Sequence, residues 1–440
     1  MGRRSRNREP AIAKIVSATH DGRGIADTEG KKVFVAGALP GEEVRFQRRK
    51  FRRNFDEAEL LEVIEPSPDR IEPRCDVYAS CGGCSLQHVD NRQQLAIKDQ
   101  ALKDSFERIG RVTPRQWFEP MTGPEWQYRR RGRLAVKDVH AKGRVLVGFR
   151  ERHAPFVTDM RRCEILAPPV GSLIEALSEL IGRLSISARL PQVEVSIADN
   201  AVALVFRVLD PPTEQDRGLL SSFGAEHDLR IYLQPRGLDS VGLLYPDEDV
   251  EPLFYDLPEF DVRIAFEPVG FVQINAEINR QMVHAAVEML APTENDRVLD
   301  LFCGIGNFSL PIARRAGSVL GVEMDEMLVA AAAANAAMND IDNASFRRAD
   351  LSKIDGSESW LREEWDLVLL DPARSGAQEV VERIGVINPR RVVYVSCHPG
   401  TLARDAGVLV NEKGYSCDGA GIIDMFPHTS HVESIAVFSQ

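Results

Sequence analysis

From Ala11 to Glu65, apolar and polar residues alternate in short runs: AIAKIVSA (11–18), KKVFVAGAL (31–39), EEVRFQRR (42–49) and EAELLEVIE (57–65). Turn-forming stretches separate them, DGRG at 21–24 and LPGEE at 39–43. A period of two broken by such turns predicts a small all-β unit, a five-stranded barrel of the OB-like kind. A Pro-rich linker, PSPDRIEPR, follows at 66–74. The period then becomes helical across LQHVDNRQQLAIKDQALKDSFERIG (86–110), with Leu95, Leu102, Phe106 and Ile109 on one face and Gly110 as the stop. Residues 126–265 read as mostly strands with some helix, for example GRVLVGFR (143–150) and VEVSIADNAVALVFRVL (193–209).

Beyond about residue 266 the pattern changes again. VLDLF, VLGVE, WDLVLLD and VVYVS are short, almost wholly apolar runs, separated by helical stretches at 307–316, 325–339 and 399–412. Strands buried on both faces and alternating with helices predict a doubly wound, Rossmann-like α/β domain with a parallel sheet. Ligands of such sheets bind outside the carboxyl ends of the strands. The expected organisation is therefore multidomain: a β-barrel over 1–68, an α+β central domain over 69–262, and the α/β domain over 263–440.

Composition adds constraints. The 440 residues are 44% hydrophobic and 27% charged, ordinary for a water-soluble chain. No apolar run reaches the roughly 20 residues that span a bilayer. The basic MGRRSRNREP start has no apolar stretch behind it, unlike a secretory leader. A cytoplasmic protein is expected, and nothing in the pattern demands a dimer. The net charge of −12 is unevenly spread: residues 1–53 hold 14 basic and 6 acidic side chains, a balance of +8, which leaves −20 for the remainder. A basic end on an acidic body predicts a phosphate-binding module joined to an enzyme, although a solvated basic tail explains the same charge run. In RFQRRKFRR (45–53), Phe46 and Phe51 interleave with six basic residues, the composition with which small barrels hold single-stranded nucleic acid.

The α/β domain carries its candidate chemistry at strand ends. DLFCGIGNFS (300–309) is a strand, a Gly-rich turn and a helix start, and Gly304 and Gly306 let the backbone approach a ligand. A dinucleotide fingerprint calls for a third glycine where Ser309 stands. Glu323, at the end of the second strand, is placed to accept from ribose hydroxyls, and Asp350, after the third, from an adenine amino group. That order is the layout for S-adenosylmethionine; an NAD-type site is the competing reading. The fourth strand ends in DPARSG (371–376), where Ala373 and Arg374 replace the residues used for methylating an exocyclic amine. Cys397 ends the fifth strand on the same rim. A lone cysteine is more often structural, and a structural one favours a strand interior. Beside a methyl donor, its position suits a thiolate that adds to carbon 6 of uracil and makes carbon 5 nucleophilic. Glu433, before the last strand, offers a base for the proton on carbon 5. Taken alone, it reads better as a surface ion-pair partner. Cys75, Cys81 and Cys84 have the spacing C-x5-C-x2-C, and Cys163 can supply a fourth thiolate; spacing alone allows zinc or a [4Fe–4S] cluster.

FVQINAEINRQM (271–282), DLFCGIGNF, DPARSG, VSCHPGTLARD (395–405) and FPHTSHVESIAV (426–437) together resemble the bacterial RNA uracil-5 methyltransferases. The barrel resembles a TRAM domain, an RNA-binding module, and CDVYASCGGCSLQH (75–88) resembles the iron–sulfur motif of the branch acting on 23S ribosomal RNA. The resemblance runs nearly end to end, and is strongest to enzymes acting at position 1939 of that RNA. It implies Cys397 as nucleophile and Glu433 as proton-abstracting base. It implies Gln273, Phe302, Gly304, Asn307, Glu323, Asp350 and Asp371 as contacts of S-adenosylmethionine, and a [4Fe–4S] cluster on Cys75, Cys81, Cys84 and Cys163. Phe271 is expected to stack on a flipped base and Arg374 to contact the RNA. Family members commonly carry Asn where this chain has His398, and Ala where it has Gly400. Three rivals remain: the same reaction on another 23S site or on tRNA; a radical methylthiotransferase, whose C-x3-C-x2-C motif is absent; and a non-catalytic iron–sulfur RNA-binding protein.

Overall fold

The computed structural model describes residues 9–19, 22–28 and 30–440. The basic residues 1–8 and Asp21 of the expected first turn lie outside that range. The chain divides into two compact units, one formed by Met1–Ala101 with Phe426–His431 and the other by Leu102–Met425 with Val432–Gln440.

In the smaller unit, strands β1 (Ala11–Ala18), β2 (Gly24–Thr28), β3 (Lys31–Ala36), β4 (Glu43–Phe51) and β5 (Phe55–Glu65) form a closed barrel in the order β1-β2-β3-β5-β4. The alternating pattern sends Ile15, Ala26, Val33, Val35, Val44 and Phe46 inward. Phe46 is therefore a core residue with no exposed surface, and it is not available to stack on a base. The basic side chains around it are also engaged. Arg45 pairs with Glu62 at 3.1 Å, Arg48 with Asp56 at 3.5 Å, Lys50 with Glu57 at 3.2 Å, and Arg49 with Glu59. The strand that reads as cationic in sequence lies antiparallel to an acidic one, with Lys50 opposite Glu57 and Gln47 opposite Glu59. Buried Glu42 fastens the linker to the barrel, accepting from the Leu39 N–H at 2.8 Å, the Ser67 N–H at 3.2 Å and Arg70 Nη2 at 2.8 Å. Burial alone would push its carboxyl up; these donors outweigh burial and hold it below the usual range.

Helix α1 (Asn91–Ser105) runs on into a wider turn, Phe106–Gly110. The expected apolar face holds for Leu102 and Phe106, both fully buried, but Ile109 is 54% exposed. The change from i→i+4 to i→i+5 bonding at Phe106 rotates the last residues off the 3.6-residue stripe.

In the larger unit, a first sheet has the order β12-β11-β10-β9-β7-β8, using β7 (Arg131–Val139), β8 (Arg144–Gly148), β9 (Gln192–Ile197), β10 (Val202–Arg207), β11 (Arg230–Gln234) and β12 (Gly242–Tyr245). A hairpin, β13 (Leu253–Leu257) and β14 (Val262–Phe266), leads to the second sheet. Its eight strands run β17-β16-β15-β18-β19-β21-β20-β6, formed by β6 (Gln116–Trp117), β15 (Arg297–Leu301), β16 (Ser318–Glu323), β17 (Ala344–Arg348), β18 (Leu367–Leu370), β19 (Arg391–Ser396), β20 (Ser416–Ile423) and β21 (Glu433–Ser439). The five strands from β17 to β19 are parallel, as the apolar runs predict. The far side departs from a purely parallel sheet: β21 is antiparallel to both β19 and β20. Helices α4 (Ala276–Leu290), α5 (Ser309–Ala313), α6 (Glu326–Met338), α7 (Gln378–Ile387) and α8 (Pro399–Asn411) separate the strands. Strand order reverses between β15 and β18, so a ligand crevice is expected over their carboxyl ends. Among the described residues, no helix is long and apolar enough to cross a membrane.

Candidate active site

The Gly-rich turn leaves β15 through three left-handed residues, Phe302 (φ 68°), Gly304 (φ 54°) and Gly306 (φ 94°). The Phe302 and Cys303 N–H groups donate to the Val322 carbonyl at 2.9 and 3.2 Å, which pins the turn to the end of β16. A Cβ on Gly304 would point into open space, whereas one on Gly306 would lie 3.2 Å from Leu310 Cγ. Gly304 therefore faces the crevice and Gly306 faces the core. The Glu323 carboxylate accepts from the N–H groups of Gly304 (3.2 Å), Met324 (2.7 Å) and Asp325 (3.1 Å). These bonds hold its side chain across the turn.

Asp300 is a residue the sequence reading passed over as part of a strand. It is fully buried, and the Ser309 hydroxyl donates to its Oδ2. Its Oδ1 is buried with no partner. Burial, with Asp371 and Glu323 nearby, pushes its pKa up to about 7 despite the Ser309 bond. The signal was present in VLDLF, an acid within an otherwise apolar strand. An orphaned carboxyl oxygen on an acid repelled by both Asp371 and Glu323, beside an open glycine turn, fits a ligand carrying cationic charge and hydrogen-bond donors.

Other predicted contacts are less open. Asp350 is bound to the Ser352 hydroxyl at 2.6 Å and to Lys353 at 2.8 Å, which hold its pKa near 2. Asn307 makes a reciprocal amide pair with Asn279, both bonds 3.0 Å, and accepts from the Tyr255 hydroxyl at 2.9 Å. Its side chain ties the turn to α4 and β13. Gln273 is half-buried in the loop before α4, and Phe271 in the same loop is 72% exposed.

Cys397 follows β19, whose last residue, Ser396, is paired with Ser434 of β21. The register thus brings Cys397 and Glu433 to the same strand ends. Asp371 follows β18 next to them. Burial pushes Glu433 up to about 7, with Arg374 opposing, and burial together with Glu433 pushes Asp371 up to about 8. The Cys397 thiol is pushed up to about 11, first by burial and then by the charges of Glu433 and Asp371; Arg374 acts in the opposite direction. His398 caps α8: its Nδ1 accepts from the Thr401 N–H at 3.2 Å. An N-cap needs a side-chain acceptor near the backbone, which Asn and unprotonated imidazole both supply. The departure from the family's Asn keeps that function.

Cys75, Cys81 and Cys84 lie in the loop before α1, and the Gly83 N–H donates to Cys81 Sγ at 3.4 Å. Cys163 belongs to the larger unit. The donor chemistry suits an iron–sulfur cluster, but among the described residues no three His, Cys, Asp or Glu side chains gather as a metal-holding group.

The profile of the tRNA (uracil-5-)-methyltransferase family matches residues 259–440. The 23S rRNA (uracil(1939)-C(5))-methyltransferase RlmD of Methylococcus capsulatus is 49% identical over 444 aligned positions, covering 100% of both chains. The protein of that name from Alkalilimnicola ehrlichii is 49% identical, covering 100% of this chain and 99% of its own. The crystal structure of the Pyrococcus abyssi tRNA (uracil-54, C5)-methyltransferase, in complex with S-adenosyl-L-homocysteine, superposes with a TM-score of 0.75 at 24% identity, covering 97% of this chain and 99% of its own. The fold is shared with the archaeal enzyme, and by its full-length identity to the bacterial relatives the chain belongs to the RNA uracil-5 methyltransferase family.

Proposed function

We propose that the protein methylates carbon 5 of a uridine in 23S ribosomal RNA, at position 1939, through a covalent bond between Cys397 and carbon 6 of the base. The observation that carries this reading is the pairing of β19 with β21, which sets a thiol and a proton-accepting carboxyl side by side at the rim of the Gly304 turn. The names and full-length identity of the bacterial relatives support the 23S substrate.

When bound, S-adenosylmethionine supplies the electrophilic sulfonium methyl that carbon 5 attacks. Asp300, Glu323 and the Gly304 backbone are the groups that would hold it. Cys397 must act as thiolate. At about 11, only about one thiol in ten thousand is ionised at pH 7. Burial is the larger cause that keeps the proton on sulfur; cationic charge beside Asp371 and Glu433 offsets the repulsion that adds to it, so loading of the site favours ionisation. The Cys397 thiolate adds to carbon 6 and the electron pair moves toward carbon 5 and its neighbouring carbonyl oxygen. After methylation, Glu433 takes the proton from carbon 5. The carbon 6–sulfur bond then breaks, its electron pair returning to sulfur, and the carbon 5–carbon 6 double bond re-forms. A carboxyl that titrates near neutrality is suited to that removal.

A covalent trap tests this reading. RNA carrying 5-fluorouridine has no proton on carbon 5 to lose, so the Cys397 adduct should persist through denaturing electrophoresis. The expected result is an adduct with a 23S fragment spanning position 1939, absent in Cys397→Ala. The family profile's own name keeps tRNA as a second reading; an adduct with substituted tRNA alone would replace the substrate and keep the chemistry. No adduct with either RNA, when both bind, would refute the nucleophile.

We infer also that Cys75, Cys81, Cys84 and Cys163 hold a [4Fe–4S] cluster. The support is the cysteine spacing, the family resemblance and the N–H donated to Cys81, the kind of bond that tunes cluster sulfurs. The methyl transfer needs no electron, so no step involves the cluster. Anaerobically purified protein should contain iron and acid-labile sulfide and absorb broadly in the visible. A colourless protein with stoichiometric zinc would overturn this assignment.

A further inference from the structure

Arg374 favours the ionised forms of both Cys397 and Glu433, and the loop that carries it is tied down from α8. Thr401 Oγ1 donates to the Arg374 carbonyl at 3.2 Å. Arg404 Nη2 donates to the Ser375 carbonyl at 2.9 Å, and Arg404 Nε donates to Asp405 Oδ1 at 2.8 Å. Asp405 is fully buried, and its Oδ2 accepts from the Ala377 N–H at 2.8 Å and the Tyr394 hydroxyl at 2.7 Å. Gly376 closes the loop at φ 81°, and a Cβ there would lie 2.6 Å from Arg404 Nη2 and 2.7 Å from Asp405 Oδ2. Three backbone groups of the loop, the Arg374 and Ser375 carbonyls and the Ala377 N–H, are thus held by side chains from little more than one turn of a single helix. That helix begins immediately after Cys397, with His398 as its cap. The clamp therefore links the end of β18 to the end of β19.

We propose that Arg404 and Asp405 are positioning residues for the methyl transfer, holding the 373–377 loop so that Arg374 is presented to Cys397 and Glu433. This rests on the reading of those two residues as nucleophile and base. Neither Arg404 nor Asp405 needs to touch RNA or cofactor. Their backbone bonds fix where a long, rotamer-rich side chain starts, and preorganised charge acts only when its position is fixed. Arg374 favours the ionised forms of both Glu433 and Cys397. A slack loop weakens that influence on both at once.

The test is the pH dependence of single-turnover methylation at saturating S-adenosylmethionine, for wild type, Arg404→Met, Arg404→Lys and Thr401→Val. The titratable and charged groups around the start of β21 are Cys397 and His398 after β19, Asp371 and Arg374 after β18, Asp424 after β20 and His431 just before Glu433, and these variants change none of them. Arg404→Met should slow methylation roughly 10- to 100-fold at pH 7 and move the rising limb of the profile to higher pH. Arg404→Lys, which keeps a donor toward the Ser375 carbonyl, should recover most of both effects. Thr401→Val should shift the limb in the same direction by less. A limb that stays at its wild-type position in Arg404→Met overturns the proposal, whatever the fall in rate, because a loss of folding or RNA affinity alone lowers the whole profile. If Arg404→Met does not fold, the same criterion applies to Thr401→Val. The 5-fluorouridine trap on wild type separates the two readings. No wild-type adduct refutes nucleophile and base, whereas an adduct with an unmoved limb refutes the clamp alone.

Discussion

Replacing Glu433 by Gln should abolish turnover and, above neutral pH, make the protein more stable. The carboxyl titrates at about 7 in the folded protein against an ordinary 4.5, chiefly because burial penalises its charge. Between those values the folded state holds a proton that the unfolded state has released. Stability therefore falls as pH rises, by about 1.4 kcal/mol per pH unit, until the folded carboxyl ionises near 7. Across that window the charge costs the fold about 3 kcal/mol at pH 8. Gln has nearly the same shape and no charge, so Glu433→Gln should match wild type near pH 4.5 and gain up to about 3 kcal/mol by pH 8. Urea denaturation of both proteins between pH 5 and 8.5, followed by a probe in the α/β sheet, measures the difference directly. The same variant can still add Cys397 to carbon 6 but cannot clear the proton afterwards. A covalent complex with ordinary uridine should accumulate. A stability difference that does not change with pH, or a Gln variant less stable than wild type at pH 8, would refute the buried-carboxyl reasoning. Rapid turnover by the variant would refute its role as base.

Three other substitutions probe the glycine turn, the cap of α8 and the barrel core. Gly304→Ala should weaken S-adenosylmethionine binding, measured calorimetrically, because φ 54° costs an alanine about 1–2 kcal/mol although its Cβ meets nothing. His398→Ala should destabilise α8 by about 1 kcal/mol and slow adduct formation, whereas His398→Asn should restore both, since Asn supplies the same cap. Phe46→Ala should cost about 3–5 kcal/mol of barrel stability in thermal unfolding; an intact barrel with only weakened RNA binding would mean that Phe46 stacks on RNA after all.

Much of this site can be read from the chain before any fold is known. A glycine turn after VLDLF, an acid at the end of VLGVE and a cysteine at the end of VVYVS are local patterns, and local patterns survive into the structure because strand periodicity and turn chemistry act over a few residues. The five parallel strands follow from the same cause. Elsewhere, distant neighbours add to what a residue does. Arg45, Arg48, Arg49 and Lys50 look like a footprint for nucleic acid until β5 is laid beside them with Glu57, Glu59 and Glu62. Phe46 looks like a stacking platform until the barrel closes over it. Asn307 and Asp350, expected as ligand contacts, also bond within the protein, to Asn279 and Tyr255 and to Ser352 and Lys353.

Residue order along the chain is enough to put a thiol, several carboxyls and a glycine turn at strand ends, and hence on one rim. What those groups are chemically depends on the folded surroundings. The insertion of antiparallel β21 beside β19, which no local period encodes, brings Glu433 to Cys397. Desolvation, which depends on everything packed around a group, turns Asp300, Asp371 and Glu433 into acids that titrate near neutrality. Side-chain periodicity is set by covalent neighbours. Sheet order and the polarity of the surroundings are set by residues far along the chain, and the reactivity of this rim depends on them.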